Sequence, residues 1–169
     1  FPRLWTQQAQ RRWQRLAPGE LYERTVALVG LGAIGGGVAH LARAFGMRVV
    51  ATRRSAGQRE EKAGDVDVVY PLAELRDMIA QADFLVLAVP LTAETRGLIG
   101  EAELRCLKPT AYLINVSRGA VVQEAALLRA LRKGWFAGAA LDVFWQEPLP
   151  NDHELWALPN VMLTPHVAG

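Results

Sequence analysis

One cysteine in 169 residues, Cys106, leaves no partner for an internal disulfide and suits a reducing compartment, so a cytoplasmic location is the expectation. With no second cysteine and no histidine near it in sequence, Cys106 reads as a small buried hydrophobe, and no metal site is expected. Long apolar runs are also missing. None approaches the ~18 residues that cross a bilayer, and the opening "FPRLWTQQAQRRW" has no signal-peptide core, so no membrane partner is expected. Nor does one sign of charge dominate. Lys and Arg number 19 against 17 Asp and Glu, interspersed, for a net +2. That bias is too weak to argue for nucleic acid. There is no repeat and no low-complexity stretch. Phe1 rather than Met opens the chain, and the expectation is a piece of something longer or a processed form.

What is there is a globular balance, 51% hydrophobic and 21% charged, with length for one core and too little for two comfortable domains. Trp5, Ala9, Trp13 and Leu16 have helical spacing, ended by "APGE" at 17–20. Residues 1–19 are therefore a helix and linker, and 20–169 the core of a dinucleotide-binding domain. Strands are predicted at Thr25–Val29, Arg48–Thr52, Asp67–Tyr70, 84–90, 111–115, 136–143 and 161–164. Between them, Ile34, Val38, Leu41, Ala42 and Phe45 form the apolar stripe of a helix closed by Gly46. Further helices are predicted at Pro71–Ala80 and Gln123–Lys133. Strands alternating with helices imply an α/β fold, a doubly wound and mostly parallel sheet of Rossmann type.

Gly30, Leu31, Gly32, Ala33, Ile34 and Gly35 spell GxGxxG. Alone the pattern is weak, but here it follows a buried strand and opens an amphipathic helix, as the mechanism requires. Gly30 permits the tight turn, Gly32 lets a pyrophosphate approach the backbone, and Gly35 lets helix and strand pack closely. An acid ending the second strand would grip the ribose hydroxyls of NAD. In its place stand Arg53, Arg54 and Ser55. Two guanidinium forks and a hydroxyl suit a 2′-phosphate, so NADP(H) is favoured as cofactor and NAD(H) stays possible.

Four stretches fall at the ends of predicted strands, where open α/β sheets bind ligands: "VPLTAETRGLI" (89–99), "NVSRG" (115–119), "LDVFWQEPLP" (141–150) and "NVMLTPHVAG" (160–169). With "GLGAIG" (30–35) and "LKPTAYLINVSRGAVVQEAALLRAL" (107–131), their order and spacing resemble the NAD(P)-binding domain of the D-isomer-specific 2-hydroxyacid dehydrogenases. The resemblance covers essentially the whole chain. It implies that Arg118, Glu147 and His166 are catalytic. Arg118 would clamp the carboxylate of a small 2-keto or 2-hydroxy acid of the glyoxylate or hydroxypyruvate type. His166 would exchange a proton with the substrate oxygen, and Glu147 would orient the imidazole and favour its protonated form. The resemblance also implies cofactor contacts from Val89, Pro90 and Thr95 at the adenosine half, and from Val116, Ser117, Arg118 and His166 at the nicotinamide end. Asp142 would accept a bond from the nicotinamide carboxamide. Asp142 is odd on its own terms, because a buried carboxylate needs a donor.

Glu147 argues against the formate-oxidising branch of the family, which has an amide there. The family's substrate-facing domain is built largely from residues before the glycine motif, and here 29 residues precede Gly30 and three follow His166. Cofactor binding with little or no turnover is the resulting expectation. Homodimerisation is implied by the resemblance, with Trp5 and Trp13 offering apolar surface. A dinucleotide-sensing co-repressor of the same fold is the competing function.

Overall fold

The computed structural model describes residues 2–16 and 19–168, and the side chain of Trp5, with Ala17 and Pro18, lies outside the described residues. The first helix, α1, runs Pro2–Ala9. It is shorter than the spacing predicts: Arg11 turns left-handed at φ 53°, and Trp13 beyond it is 98% exposed.

Thr25–Val29 (β1), an entirely buried run, leads through the glycine turn into Ala33–Ala44 (α2) and then Arg48–Thr52 (β2). A hairpin follows, Glu60–Ala63 (β3) and Val66–Tyr70 (β4). A 3₁₀ turn at Leu72–Glu74 and the short helix Leu75–Ile79 (α3) stand where one helix was predicted. Phe84–Leu87 (β5), Glu101–Leu104 (α4), Tyr112–Asn115 (β6), Glu124–Lys133 (α5), Gly138–Leu141 (β7) and Val161–Leu163 (β8) complete the order. All eight strands form one sheet, β3-β4-β2-β1-β5-β6-β7-β8. Every neighbouring pair is parallel except β3 with β4. The chain winds outward one way from β1 to β4, then returns to β1's other side and winds the opposite way. That reversal, between β1 and β5, is where a Rossmann-type sheet opens a crevice at its carboxyl edge.

Two apolar layers flank the sheet, because side chains alternate along each strand. Ala27 and Val29 face a layer with Met78, Ile79, Leu104, Leu127 and Leu131 from α3, α4 and α5. Val26 and Leu28 face a second layer built on Ala39 and Ala42 of α2. Here the structure corrects the predicted helix stripe. Ala42 is buried as expected and Val38 packs at the margin, but Ile34 (52%), Leu41 (61%) and Phe45 (58%) point to solvent. The buried face is Gly35, Ala39 and Ala42. A Cβ on Gly35 would lie 2.1 Å from the carbonyl oxygen of Gly30, so only small residues let the helix approach the sheet this closely.

β3 and α4 were not predicted. β3 carries Glu60, Glu61 and Lys62 at the sheet edge, where backbone pairing to β4 suffices and charge discourages further strand addition. Cys106 is half-buried beside the first layer. Among the described residues no helix is long and apolar enough to cross a membrane, and no group of side chains could hold a metal ion.

Candidate cofactor and active site

At the crevice, Gly30 takes φ +100° and donates its N–H to the carbonyl of Thr52, tying the glycine turn to the end of β2. A Cβ there would meet Ala88 O and Val89 Cγ1, both at 2.6 Å, so glycine is required by space as well as by φ. Gly32 is the N-cap of α2 and offers no side-chain cap; the space beside it is open. The first N–H groups of α2, those of Ala33 and Ile34 included, thus face a backbone-lined cradle at the positive end of the helix dipole. These features fit a pyrophosphate.

At the end of β2, Arg53 pairs with Glu60 of β3 at 2.5 Å. The Thr52 hydroxyl and Arg53 Nε are buried without a hydrogen-bond partner. Arg54 makes no ion pair among the described residues, although its charge helps hold the Glu94 carboxyl below its ordinary pKa, behind Glu94's bonds to the Thr92 hydroxyl and backbone. Across the crevice, Val89 packs against Gly30. Thr95 is less available than predicted: its hydroxyl donates to Pro90 O (2.7 Å) and accepts from Thr92 N (2.8 Å), closing its own loop.

The rim beyond β6, β7 and β8 is held from within. Asn115 Oδ1 accepts from the N–H and hydroxyl of Ser117 (3.0 and 2.9 Å), while its Nδ2 donates to Arg118 O (3.1 Å). The guanidinium of Arg118 donates to Ser117 O (2.6 Å), and the residue is exposed beside Val116 and Ser117. Asn115, 1% exposed, was not among the predicted site residues; its signal is an amide ending an apolar strand. Gly119 then passes so close to the next loop that a Cβ would sit 2.1 Å from the carbonyl carbon of Phe144. Trp145 Nε1 donates to Val122 O (2.7 Å) and locks the same two loops.

That packing presents Glu147, whose Oε1 accepts from Phe144 N (2.9 Å) and whose Oε2 meets His166 Nδ1 at 2.7 Å. The bond to His166, then that from Phe144, holds the Glu147 carboxyl below the ordinary carboxylate range, and the charge of Arg118 adds to this. An ionised Glu147 only accepts, so Nδ1 carries the proton and Nε2 is the exchangeable position. Arg118, Glu147 and His166 thus gather at one rim of the sheet, while Arg53, Arg54 and Ser55 lie at the β2 end of the crevice.

The family model described as D-isomer specific 2-hydroxyacid dehydrogenase, NAD binding domain, matches residues 1–168. The chain belongs to this family. Among its curated relatives, a glyoxylate reductase of Aeropyrum pernix is 45% identical over 166 residues, covering 93% of this chain and 48% of the relative. Among solved structures, a D-isomer specific 2-hydroxyacid dehydrogenase from Xanthobacter autotrophicus Py2 in complex with NADPH and MES has a TM-score of 0.89 and 38% identity, over 99% of this chain and 52% of the other. A phosphoglycerate dehydrogenase from Lactobacillus plantarum has a TM-score of 0.91 and 33% identity, over 99% and 54%. The chain spans about half the length of the curated relatives it matches.

In this 2-hydroxyacid dehydrogenase domain, Asp142 departs from the need inferred for it. The residue is 4% exposed, yet three donors of the chain itself satisfy its carboxylate: Thr164 Oγ1 (2.6 Å), Val167 N (2.9 Å) and Ala168 N (2.9 Å). Burial pushes its pKa up, but these bonds, with the charge of His166, outweigh it and bring the group below the ordinary carboxylate range. The buried acid therefore does not depend on a ligand. It anchors the segment on both sides of His166, which is held at φ +55°.

Proposed function

We propose that this domain serves an NAD(P)-dependent D-2-hydroxyacid dehydrogenase that reduces a small 2-keto acid of the glyoxylate or hydroxypyruvate type, or oxidises the corresponding hydroxy acid. The observation that carries the reading is the Glu147–His166 pair, at 2.7 Å, on the same rim as an exposed Arg118. Arg118 presents a guanidinium fork suited to the substrate carboxylate. His166 Nε2 gives its proton to the carbonyl oxygen in reduction and takes it back in oxidation, while Glu147 keeps Nδ1 protonated and the ring oriented. A nicotinamide cofactor, when bound, supplies or accepts the hydride. The cradle of Gly30, Gly32, Ala33, Ile34 and Gly35 would hold its pyrophosphate. Val89, Pro90 and the Thr95 loop would flank the adenosine half, and Val116 and Ser117 the nicotinamide end. Asp142 Oδ2 accepts a single bond, and a carboxylate oxygen has room for a second, from a carboxamide.

NADP(H) is the favoured cofactor, with NAD(H) possible. Arg53 and Arg54 support this reading, as does the NADPH complex of a 38% identical relative. Glyoxylate reductase names among the relatives favour the enzyme over a co-repressor role. A cytoplasmic location, resting on the lone reduced cysteine, belongs to the same proposal. So does a homodimer: Leu41 and Phe45, one turn apart at the end of α2, and Tyr22, whose ring lies against Gly46, expose apolar surface, and Trp13 adds more. A sedimentation mass near that of one chain would remove the homodimer.

The test is calorimetric titration of the chain with NADPH and NADH, with glyoxylate reduction followed in parallel. NADPH should bind more tightly, and Arg53→Asp should abolish that preference. Because Glu147 and His166 side chains are each 37% exposed, turnover by this chain alone should be slow. Failure of both cofactors to bind would overturn the reading.

A further inference from the structure

Arg53 and Glu60 meet at 2.5 Å, the arginine from the end of β2 and the glutamate from the unpredicted edge strand β3. The guanidinium is only half used along its bidentate edge. Nη2 donates to Glu60 Oε2, while Nε beside it is buried with no partner, as is the hydroxyl of the preceding Thr52. Thr52 is also the residue whose carbonyl holds the Gly30 N–H, so the backbone that carries Arg53 adjoins the glycine turn. An unpaired buried donor costs free energy, and a two-oxygen anion would remove that cost by taking both parallel donors. Glu60 reaches Arg53 with one oxygen and so holds the donor that an incoming anion would need. Arg59, the nearby alternative cation, is already committed to Glu74 and Asp77 and stacked on Tyr70, so it offers Glu60 no other home.

We propose that Glu60 is a specificity-determining residue: it is the counter-ion of Arg53 that the cofactor's 2′-phosphate must displace, and it tempers the domain's preference for the phosphorylated dinucleotide. The proposal rests on the NADP(H) reading above. NADH, with a ribose hydroxyl in place of the phosphate, has no need to break the pair and binds with Glu60 still in place.

The experiment is titration of NADPH and NADH against the wild-type chain, Glu60→Gln, Arg53→Gln and the double variant, by calorimetry at fixed ionic strength. Removing the competing charge in Glu60→Gln should tighten NADPH about fivefold and leave NADH within about twofold, on the scale of a partly exposed charge pair. In the Arg53→Gln background the same change should do little, within about twofold, because the counter-ion then has nothing to withhold. An equal gain in both backgrounds would mean plain repulsion and overturn the exchange. So would weaker NADPH binding by Glu60→Gln, which would make Glu60 a support of Arg53. If wild type prefers NADPH and Glu60→Gln changes neither affinity, the exchange alone falls. If wild type shows no preference and Arg53→Gln costs NADPH nothing, the NADP(H) reading falls with it. Should Gln lower the melting temperature of the β3 hairpin, Glu60→Asp, one methylene too short to hold Arg53, should shift NADPH in the same direction by less.

Discussion

The two ends of the crevice are built on opposite plans. At the Arg118–Glu147–His166 rim, buried Asn115 and Asp142 spend their hydrogen bonds on the chain's own backbone and hydroxyls. At the β2–β3 end, charges pair across exposed surface while Thr52 Oγ1 and Arg53 Nε stay buried and unpaired. The first end is assembled before any ligand arrives; the second is left with bonds to make. The lesson is that substitutions at the rim should cost stability, whereas substitutions at the β2–β3 end should change binding, in either direction, and little else.

Gly119→Ala should break the comparison hardest. Its methyl would overlap the carbonyl of Phe144, a backbone atom that cannot step aside, and the loss should be about 3 kcal/mol. For a chain of this size that is a melting temperature lower by roughly 6–12 °C. Next comes Asp142→Asn. Its amide can accept at one side only and turns an N–H₂ towards donors, so about 2 kcal/mol of unfolding free energy should be lost in urea titrations. An unchanged denaturation midpoint would place Asp142 among residues that merely touch the His166 segment.

Acid sharpens the same contrast. Asp142 and Glu147, both at the rim, have folded pKa values depressed below their ordinary range. Their stabilisation is therefore complete above the unfolded carboxylate pKa and is lost as pH falls through the depressed values. Denaturation midpoints should hold from pH 7 to 5, then drop below about pH 4, and the drop should be shallower in Asp142→Asn. The smallest effect is expected at the other end. Arg59→Gln removes contacts to Glu74, Asp77 and Tyr70 on the surface, and differential scanning calorimetry should resolve no change in melting temperature.

The sequence made the sheet legible because its strands lie in continuous apolar runs, "TVALV" before Gly30 and "FLVLAV" before Pro90 among them. It hid β3, since Glu60, Glu61 and Lys62 bury no face and join the sheet through backbone alone. It also misdirected the face of α2. Hydrophobicity favours Ile34, Leu41 and Phe45, but closeness of approach favours Gly35, Ala39 and Ala42, and closeness won. Arg118, Glu147 and His166 were legible because each lies in a short motif at a strand end. Asn115 was not, its role consisting of bonds to its own turn. Asp142 was recognised as a carboxylate in need of donors; the donors, 22 to 26 residues further along, were beyond reach of a linear reading.

The left-handed backbone at His166 filters which amino acids can stand in its place. At φ +55° a β-branched side chain is strained, while asparagine takes the conformation at little cost. A control protein meant to lack only the imidazole is therefore better made with asparagine than with valine or threonine. In laboratory selections for altered chemistry, that position will sample a narrower alphabet than its surface exposure suggests.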